Sequence, residues 1–152
     1  MPVCMDSRPR IMRGIGEVLS EPIELASIPA VLVNPGVALV TREVFGKFKS
    51  PYTGPGLAGV PTKTGALIEL LKQQDNDLTD AATACAPVVG EVLATLRSEP
   101  GSALARMSGS GATCFARYGS HEPAGAAAHQ LASERRNWWV QPAAIGAVPE
   151  KT

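Results

Sequence analysis

The chain has 152 residues, of which 45% are hydrophobic and 18% charged, and this composition predicts a folded domain rather than disorder. Its 14 basic residues balance its 14 acidic residues, so electrostatics gives no reason to expect nucleic acid or an anionic membrane as a partner. Three cysteines without a CxxC pattern and two histidines argue against a disulfide framework or a metal site, and a reducing cytoplasm is the expected location. No apolar run reaches the roughly 20 residues that cross a bilayer.

The first half of the chain predicts short extended segments followed by a helix. Residues 10–19 form a strand candidate interrupted by glycines, and residues 30–45 begin as a buried strand that turns at Pro35-Gly36. Residues 49–65 are rich in Gly and Pro and predict an exposed, mobile loop. Residues 66–74 then predict a short amphipathic helix.

The strongest helical pattern covers residues 76–101, where apolar residues recur at three- and four-residue steps. Asn76 or Asp77 is a candidate N-cap. Pro87 is expected to divide or kink the helix or to start a second one, and Pro100-Gly101 to end it.

The last third predicts strand, glycine loop, strand, helix and strand. Residues 105–118 hold the two strands and the loop, residues 120–135 the alanine-rich helix, and residues 137–140 the final strand. The tail after Pro142 is expected to be loosely ordered. This order favours an α+β sandwich, in which helices cover one face of a largely antiparallel sheet.

The glycine loop is the first candidate site. Two glycines spaced by one residue permit positive φ and close approach, and successive amides can form an anion-binding nest. The loop lacks the GxxxxGK[ST] pattern and the third glycine of GxGxxG, so a plain turn and an anion site both remain open. Its residues are Ser108, Gly109, Ser110, Gly111, Ala112 and Thr113.

Other candidate residues also have ordinary structural interpretations. Thr41 could cap a short helix that carries Phe45, whose ring could stack on a base or pack in the core. Trp138 and Trp139 should alternate, with one ring buried and the other half exposed, while the cysteines suit buried apolar positions. The residues alone therefore indicate no pair of catalytic base and nucleophile.

Four segments in a fixed order add a family resemblance. The segments "RPRIMRGIGEVL", "VLVNPGVALVTREVF", "NDLTDAA" and "MSGSGATCFARY" together resemble the 4-diphosphocytidyl-2-C-methyl-erythritol kinases of the GHMP kinase superfamily. The resemblance extends from Met1 to about Trp139. It implies ATP-dependent phosphorylation of the 2-hydroxyl of cytidine-diphosphate-linked methylerythritol, in non-mevalonate isoprenoid biosynthesis.

The resemblance also implies a domain division. Residues 1–25 correspond to a remnant of the N-terminal kinase domain and the crossover, residues 26–142 to a ferredoxin-like GHMP C-terminal domain, and residues 143–152 to a tail. The family's ATP loop, its N-terminal lysine and the aspartate of its "GADVP" segment find no match in this chain. We therefore expect a fragment that has no catalytic residue of its own and is inactive alone.

The resemblance transfers few site residues. Thr41 and Phe45 match the segment whose aromatic ring stacks on the substrate's cytosine, although Arg42 stands where many relatives carry proline. Gly109, Ser110 and Gly111 match the third GHMP motif, which lines the site near the phosphates. ATP with Mg²⁺ is expected in the full-length enzyme and not on this fragment alone. The implied partners are the small-molecule substrate and the missing N-terminal domain.

Two alternatives remain open. The chain could be a stand-alone α+β ligand-binding module, because fold alone does not determine function. It could also be an inactive remnant of a kinase. Both the kinase fragment and the remnant predict an exposed apolar patch where the missing domain would pack.

Overall fold

The computed structural model describes residues 8–49, 51, 59–61 and 64–146. The strands are β1 (Met12–Arg13), β2 (Val18–Leu19), β3 (Ile28–Asn34), β4 (Leu104–Met107), β5 (Cys114–Arg117) and β6 (Trp139–Ile145). The helices are α1 (Thr41–Lys47), α2 (Thr64–Lys72), α3 (Thr79–Cys85), α4 (Val88–Ser98) and α5 (His121–Glu134). The predicted mobile loop at residues 49–65 falls largely outside the described residues.

Four strands form one antiparallel sheet in the order β4-β5-β3-β6, and β1 and β2 form a separate hairpin. In the sheet, β3 is flanked on both sides, with Val31 opposite Ala116 of β5 and opposite Pro142 of β6. Residues on both faces of β3 are buried, which explains why β3 reads in the sequence as a nearly continuous apolar run.

The main core lies on one face of this sheet. Alternate strand residues point to the same face, and Val31, Val33 and Cys114 meet α4 and α5 there. The largest helical contributions come from Leu96 and Leu131, both fully buried. Among the described residues, no polar or charged side chain is classed as buried. This arrangement is the predicted α+β sandwich.

The second face of the sheet carries α2. Ile28 belongs to the opposite set of alternating strand residues, and it lines an apolar cavity of about 320 Å³ together with Leu67 and Leu71 of α2. Arg106 alternates with the core residue Met107, and its guanidinium donates to the carbonyls of Leu71 and Gln74. Arg106 thus caps the carboxyl end of α2.

The predicted helix break at Pro87 and helix end at Pro100-Gly101 are confirmed, and the last strand is longer than predicted. Pro87 separates α3 from α4, and Gly101 follows α4 with φ at 80°. The expected strand at 137–140 is instead β6, which continues to Ile145 opposite Ile28. The expectation of a loosely ordered segment after Pro142 is therefore wrong for residues 143–145, because the seven-residue β3 supplies backbone partners along its full length.

Exposed large apolar side chains occur in two groups. One group occupies the β1–β2 hairpin and consists of Met12, Ile15 and Val18; the other lies before and within α1 and consists of Val37, Val40 and Phe45. Among the described residues, no helix has the length and hydrophobicity of a membrane-spanning segment.

Candidate functional site

The glycine loop joins β4 to β5 at one end of the sheet. Two internal hydrogen bonds shape it: the Ser108 amide donates to the Thr113 carbonyl at 2.9 Å, and the Gly111 amide donates to the Ser108 carbonyl at 3.0 Å. Ala112 is buried beneath the loop at 6% exposure, whereas Ser108 and Gly109 are exposed. The loop is thus anchored at its base and open at its tip.

The two loop glycines are required for different reasons. Both have positive φ, 54° at Gly109 and 89° at Gly111. A Cβ on Gly111 would lie 2.9 Å from Sδ of Met107 and 3.2 Å from Cδ2 of Leu39, so packing as well as conformation disfavours a side chain there. A Cβ on Gly109 would meet nothing within 4 Å. Open space over a glycine with positive φ is suitable for close approach of a ligand to the backbone.

Thr41 lies directly against this loop. Its Oγ1 is 2.9 Å from Oγ of Ser110, a residue 69 positions later in the chain. The expectation that Thr41 caps α1 is wrong: Val40 occupies the N-cap position, without a side-chain hydrogen bond, and Thr41 is the first helical residue. Because its hydroxyl contacts Ser110 rather than the helix amides, Thr41 links α1 to the loop.

Phe45 lies one helical turn after Thr41. Residues four apart on a helix share a face, and the Phe45 ring is 48% exposed while the neighbouring Val44 is fully buried. Packing in the core, the ordinary interpretation of this aromatic, does not occur. The structure therefore brings Thr41, Phe45 and the glycine loop to one surface and leaves the ring available to a planar partner.

Two asparagines fix the loop, and sequence reasoning did not identify them as site residues. Nδ2 of Asn34 donates to Oγ1 of Thr113 at 2.9 Å. Nδ2 of Asn76 donates to the carbonyls of Met107 at 2.9 Å and Gly109 at 2.8 Å. Neither pairing leaves a local signal, since the partners are separated by 31 to 79 positions.

The sequence predicts Asn76 only as a helix cap, and its cap role differs from that prediction. Leu78 occupies the N-cap position of α3 without a side-chain hydrogen bond. Asn76 instead accepts the Leu78 amide on its Oδ1 at 3.0 Å, while its carbonyl accepts the Thr79 hydroxyl at 2.7 Å. This Asx-turn leads the chain into the helix from a position two residues before the N-cap, and the other predicted cap, Asp77, does not occupy the N-cap position either.

Of the cysteines and tryptophans expected to be buried, Cys114 is buried, whereas Cys85 and Trp138 are only partly buried. Cys114 is fully buried, and burial raises the pKa of its thiol to about 11, so the thiol stays neutral and is not a nucleophile. Cys85 packs against the core, and Cys4 lies outside the described residues. Trp138 is partly buried against the core and Trp139 is 53% exposed.

No metal-binding cluster accompanies the loop. Within the part of the chain that the structure describes, no three or more His, Cys, Asp or Glu side chains are grouped as metal ligands. The loop supplies backbone amides and hydroxyl groups, which suit an anionic group rather than a cation.

The chain is similar to known proteins over most of its length. The family model described as "GHMP kinases C terminal" matches residues 58–137, just over half of the chain. Proteins named 4-diphosphocytidyl-2-C-methyl-D-erythritol kinase match as well: one from Methylorubrum extorquens is 43% identical over 149 residues, covering 93% of this chain and 51% of the relative. That of Dinoroseobacter shibae is 42% identical over 148 residues, covering 95% and 51%.

A solved structure confirms the fold. A crystal structure titled 4-(cytidine 5'-diphospho)-2C-methyl-D-erythritol kinase matches with a TM-score of 0.74 at 27% identity, covering 93% of this chain and 51% of that one. The chain thus spans about half the length of the curated relatives it matches. The matched model, the identity and the shared fold together show that the chain belongs to the GHMP kinase family and contains that family's C-terminal domain.

Proposed function

We propose that this chain is the C-terminal, substrate-binding part of an ATP-dependent kinase that phosphorylates the 2-hydroxyl of 4-diphosphocytidyl-2-C-methyl-D-erythritol in the cytoplasm. The observation that carries the proposal is the 43% identity over 149 residues to a relative named for this activity. Since the chain spans about half of that relative, the complete activity needs a second part that contains the catalytic groups.

The cytidine end of the substrate is assigned to α1. A half-exposed phenylalanine on a helix offers a flat apolar surface, and stacking of a base on it adds attraction beyond the burial of area. Phe45 has this exposure, and Thr41 places a hydroxyl on the same face. In this proposal Phe45 stacks on cytosine and Thr41 lies beside it.

The phosphate end is assigned to the glycine loop. Phosphoryl-transfer sites act mainly by positioning and by electrostatic stabilisation of the transferring group. The open tip at Gly109 and the hydroxyl of Ser110 fit a phosphate group, whereas no described cluster of acidic residues fits Mg²⁺. The loop of this chain would hold phosphate oxygens, and ATP with Mg²⁺ would be bound mainly by the second part of the enzyme.

The exposed apolar side chains support the proposal that a second part of the kinase packs against this chain. The solvent-exposed apolar side chains are Met12, Ile15 and Val18 on the hairpin and Val37 and Val40 before α1. Contiguous exposed apolar side chains commonly mark interaction surfaces. Such surfaces are expected where the remaining half of the kinase packs.

The first experiment measures nucleotide binding by this chain with amide chemical shifts during titration with cytidine diphosphate. We expect saturable shifts at α1 and the glycine loop, lost in Phe45→Ala and kept in Ile15→Ala, which removes an equally apolar side chain that is 99% exposed on the hairpin. MgATP alone should produce no saturable shift. Equal binding by Phe45→Ala would contradict the assignment of the stacking residue.

The second experiment tests the reaction. The part of the M. extorquens kinase that this chain does not match is joined to this chain, and phosphate transfer to the substrate is measured. We expect ATP-dependent product from the joined enzyme and none from this chain alone. Cytidine binding without any transfer would favour a stand-alone binding module, and neither binding nor transfer would favour an inactive remnant.

A further inference from the structure

One side chain from outside the glycine loop holds two of its carbonyls. Nδ2 of Asn76 donates to the Met107 carbonyl at 2.9 Å and to the Gly109 carbonyl at 2.8 Å. These carbonyls flank Ser108, where β4 ends and the loop begins. A primary amide has two N–H donors, and both are used here.

The same side chain is itself fixed from the other direction. Oδ1 of Asn76 accepts the Leu78 amide at 3.0 Å, and the Asn76 carbonyl accepts both the amide and the hydroxyl of Thr79, at 2.9 and 2.7 Å. The helix that follows is anchored in the core through Ala81 and Ala82. Asn76 therefore transmits the position of α3 to the loop.

Asparagine is the residue that this junction requires. The carbonyls of Met107 and Gly109 need donors, while the Leu78 amide needs an acceptor. Aspartate supplies the acceptor but no donor, and serine is too short to reach across. The amide satisfies both sides at once.

The consequence for the loop is electrostatic. A carbonyl oxygen that faces an anion repels it, whereas a carbonyl bonded to a donor is oriented toward that donor. With its carbonyl bonded to Asn76, Gly109 is held in one orientation, and a loop that is preorganised in this way needs no rearrangement when charge develops.

We propose that Asn76 is a positioning residue for phosphoryl transfer: by binding the carbonyls of Met107 and Gly109, it holds the glycine loop in the conformation that receives the phosphate groups. This inference rests on the proposed function and assigns to Asn76 a role that acts through the glycine loop.

The decisive variant is Asn76→Asp, which keeps the acceptor for Leu78 and removes both donors to the loop. Asn137→Asp is the matched control, because it makes the same chemical change at an exposed asparagine. In this chain, hydrogen exchange is followed at the Ser108 and Gly111 amides, which are bonded within the loop. We expect exchange to accelerate about tenfold in Asn76→Asp, since the two hydrogen bonds that hold the loop against α3 are lost.

A control for stability separates loosening of the loop from unfolding of the domain. The Val33 and Ala116 amides of the central strands report the core. If a variant merely destabilises the fold, exchange at these core amides should accelerate as much as exchange at the loop amides. Asn76→Ser, which keeps a hydroxyl acceptor near Leu78 without reaching the loop, should reproduce the loop effect if Asn76→Asp does not fold. Loop exchange within about twofold of the unsubstituted chain, in whichever variant folds, would overturn the inference.

The functional arm uses the joined enzyme described above. Asn76→Asp and the uncharged Asn76→Ser should both lower kcat at least about tenfold while the KM for the cytidine substrate stays within about twofold, since a misplaced loop loses interactions made in the transition state. Asn137→Asp should change neither. An unchanged kcat, or equal effects on kcat and KM, would overturn the positioning role.

Failure of the proposed function gives a different result. If the unsubstituted joined enzyme transfers no phosphate, the proposed function fails, and the exchange experiment alone decides whether Asn76 fixes the loop. Accelerated loop exchange would then support the structural part of the inference, and unchanged exchange would overturn it.

Discussion

The core beneath the sheet and the glycine loop at its end are held by different forces. The core is formed by apolar side chains such as Val31, Leu96 and Leu131, each fully buried. The loop is held by one hydrogen bond from Asn34 and two from Asn76. Apolar burial is spread over many contacts and tolerates small shifts, whereas a hydrogen bond depends on one geometry. The core should therefore contribute most of the stability, and the hydrogen bonds of the asparagines should mainly fix the loop's geometry.

The largest expected effect is in the core. Leu96→Ala should lower the free energy of unfolding by about 2–5 kcal/mol, because it leaves a cavity where the side chain is fully buried. Urea denaturation measures the change. Arg97→Ala, on the exposed face of the same helix, is the control and should stay within about 0.5 kcal/mol. A loss of under about 1 kcal/mol for Leu96→Ala would show that the core is not the main source of stability.

Alkaline pH should weaken the core through two buried groups. Burial raises the pKa of Cys114 from 9.0 to about 11, and burial followed by the charge of Glu99 raises the pKa of Tyr118 from 10.0 to about 12. The unfolded chain therefore releases these protons at lower pH than the folded chain. Stability should be constant below about pH 9 and then fall, by about 1.4 kcal/mol per pH unit for each group between its two pKa values.

Tyr118→Phe separates the two contributions to that alkaline loss. The variant should abolish the loss of stability that Tyr118 causes between pH 10 and about 12, and it should leave the loss that Cys114 causes. At neutral pH it should be neutral or stabilising by up to about 1 kcal/mol, since the Tyr118 hydroxyl has no hydrogen-bond partner among the described residues. Unfolding curves from about pH 7 to about pH 11.5 test both expectations, and an unchanged alkaline slope would contradict the buried-phenol explanation.

Replacing each of the two loop glycines with alanine should lower the free energy of unfolding by unequal amounts. Gly109→Ala should cost about 1–2 kcal/mol because an alanine at positive φ is strained. Gly111→Ala should cost at least about 1 kcal/mol more, since its Cβ would also press on Met107 and Leu39. Thermal or urea unfolding of the pair measures the difference. Equal costs would mean that conformation alone, and not packing, requires glycine at position 111.

The smallest expected effect concerns the Asn34–Thr113 hydrogen bond. Thr113→Val and Asn34→Ala should each cost about 1 kcal/mol, and the double variant should cost less than their sum because both remove the same bond. The coupling energy from this double-mutant cycle is the measurement. Additive losses would show that the bond does not stabilise the loop, and the contrast between core and loop would then be weaker than proposed.

Much of the fold is encoded locally. The three- and four-residue spacing of apolar residues in 76–101 predicts the buried face of α4, and Pro87 predicts the break before it. The glycine pair at 109 and 111 predicts a loop with positive φ. In each case the cause is a property of neighbouring residues, namely helical periodicity, the missing amide of proline or the absent Cβ of glycine.

Tertiary structure decided what the loop touches and how far the last strand runs. The contacts of Asn34, Thr41 and Asn76 with the loop join residues 31 to 79 positions apart, and no local pattern specifies such partners. Likewise, β6 reaches Ile145 because β3 offers backbone groups to pair with, although its own sequence reads as a loose tail. The sequence alone determined that a glycine loop exists between two strands; packing of α1 and α3 beside it determined that the loop could become a site.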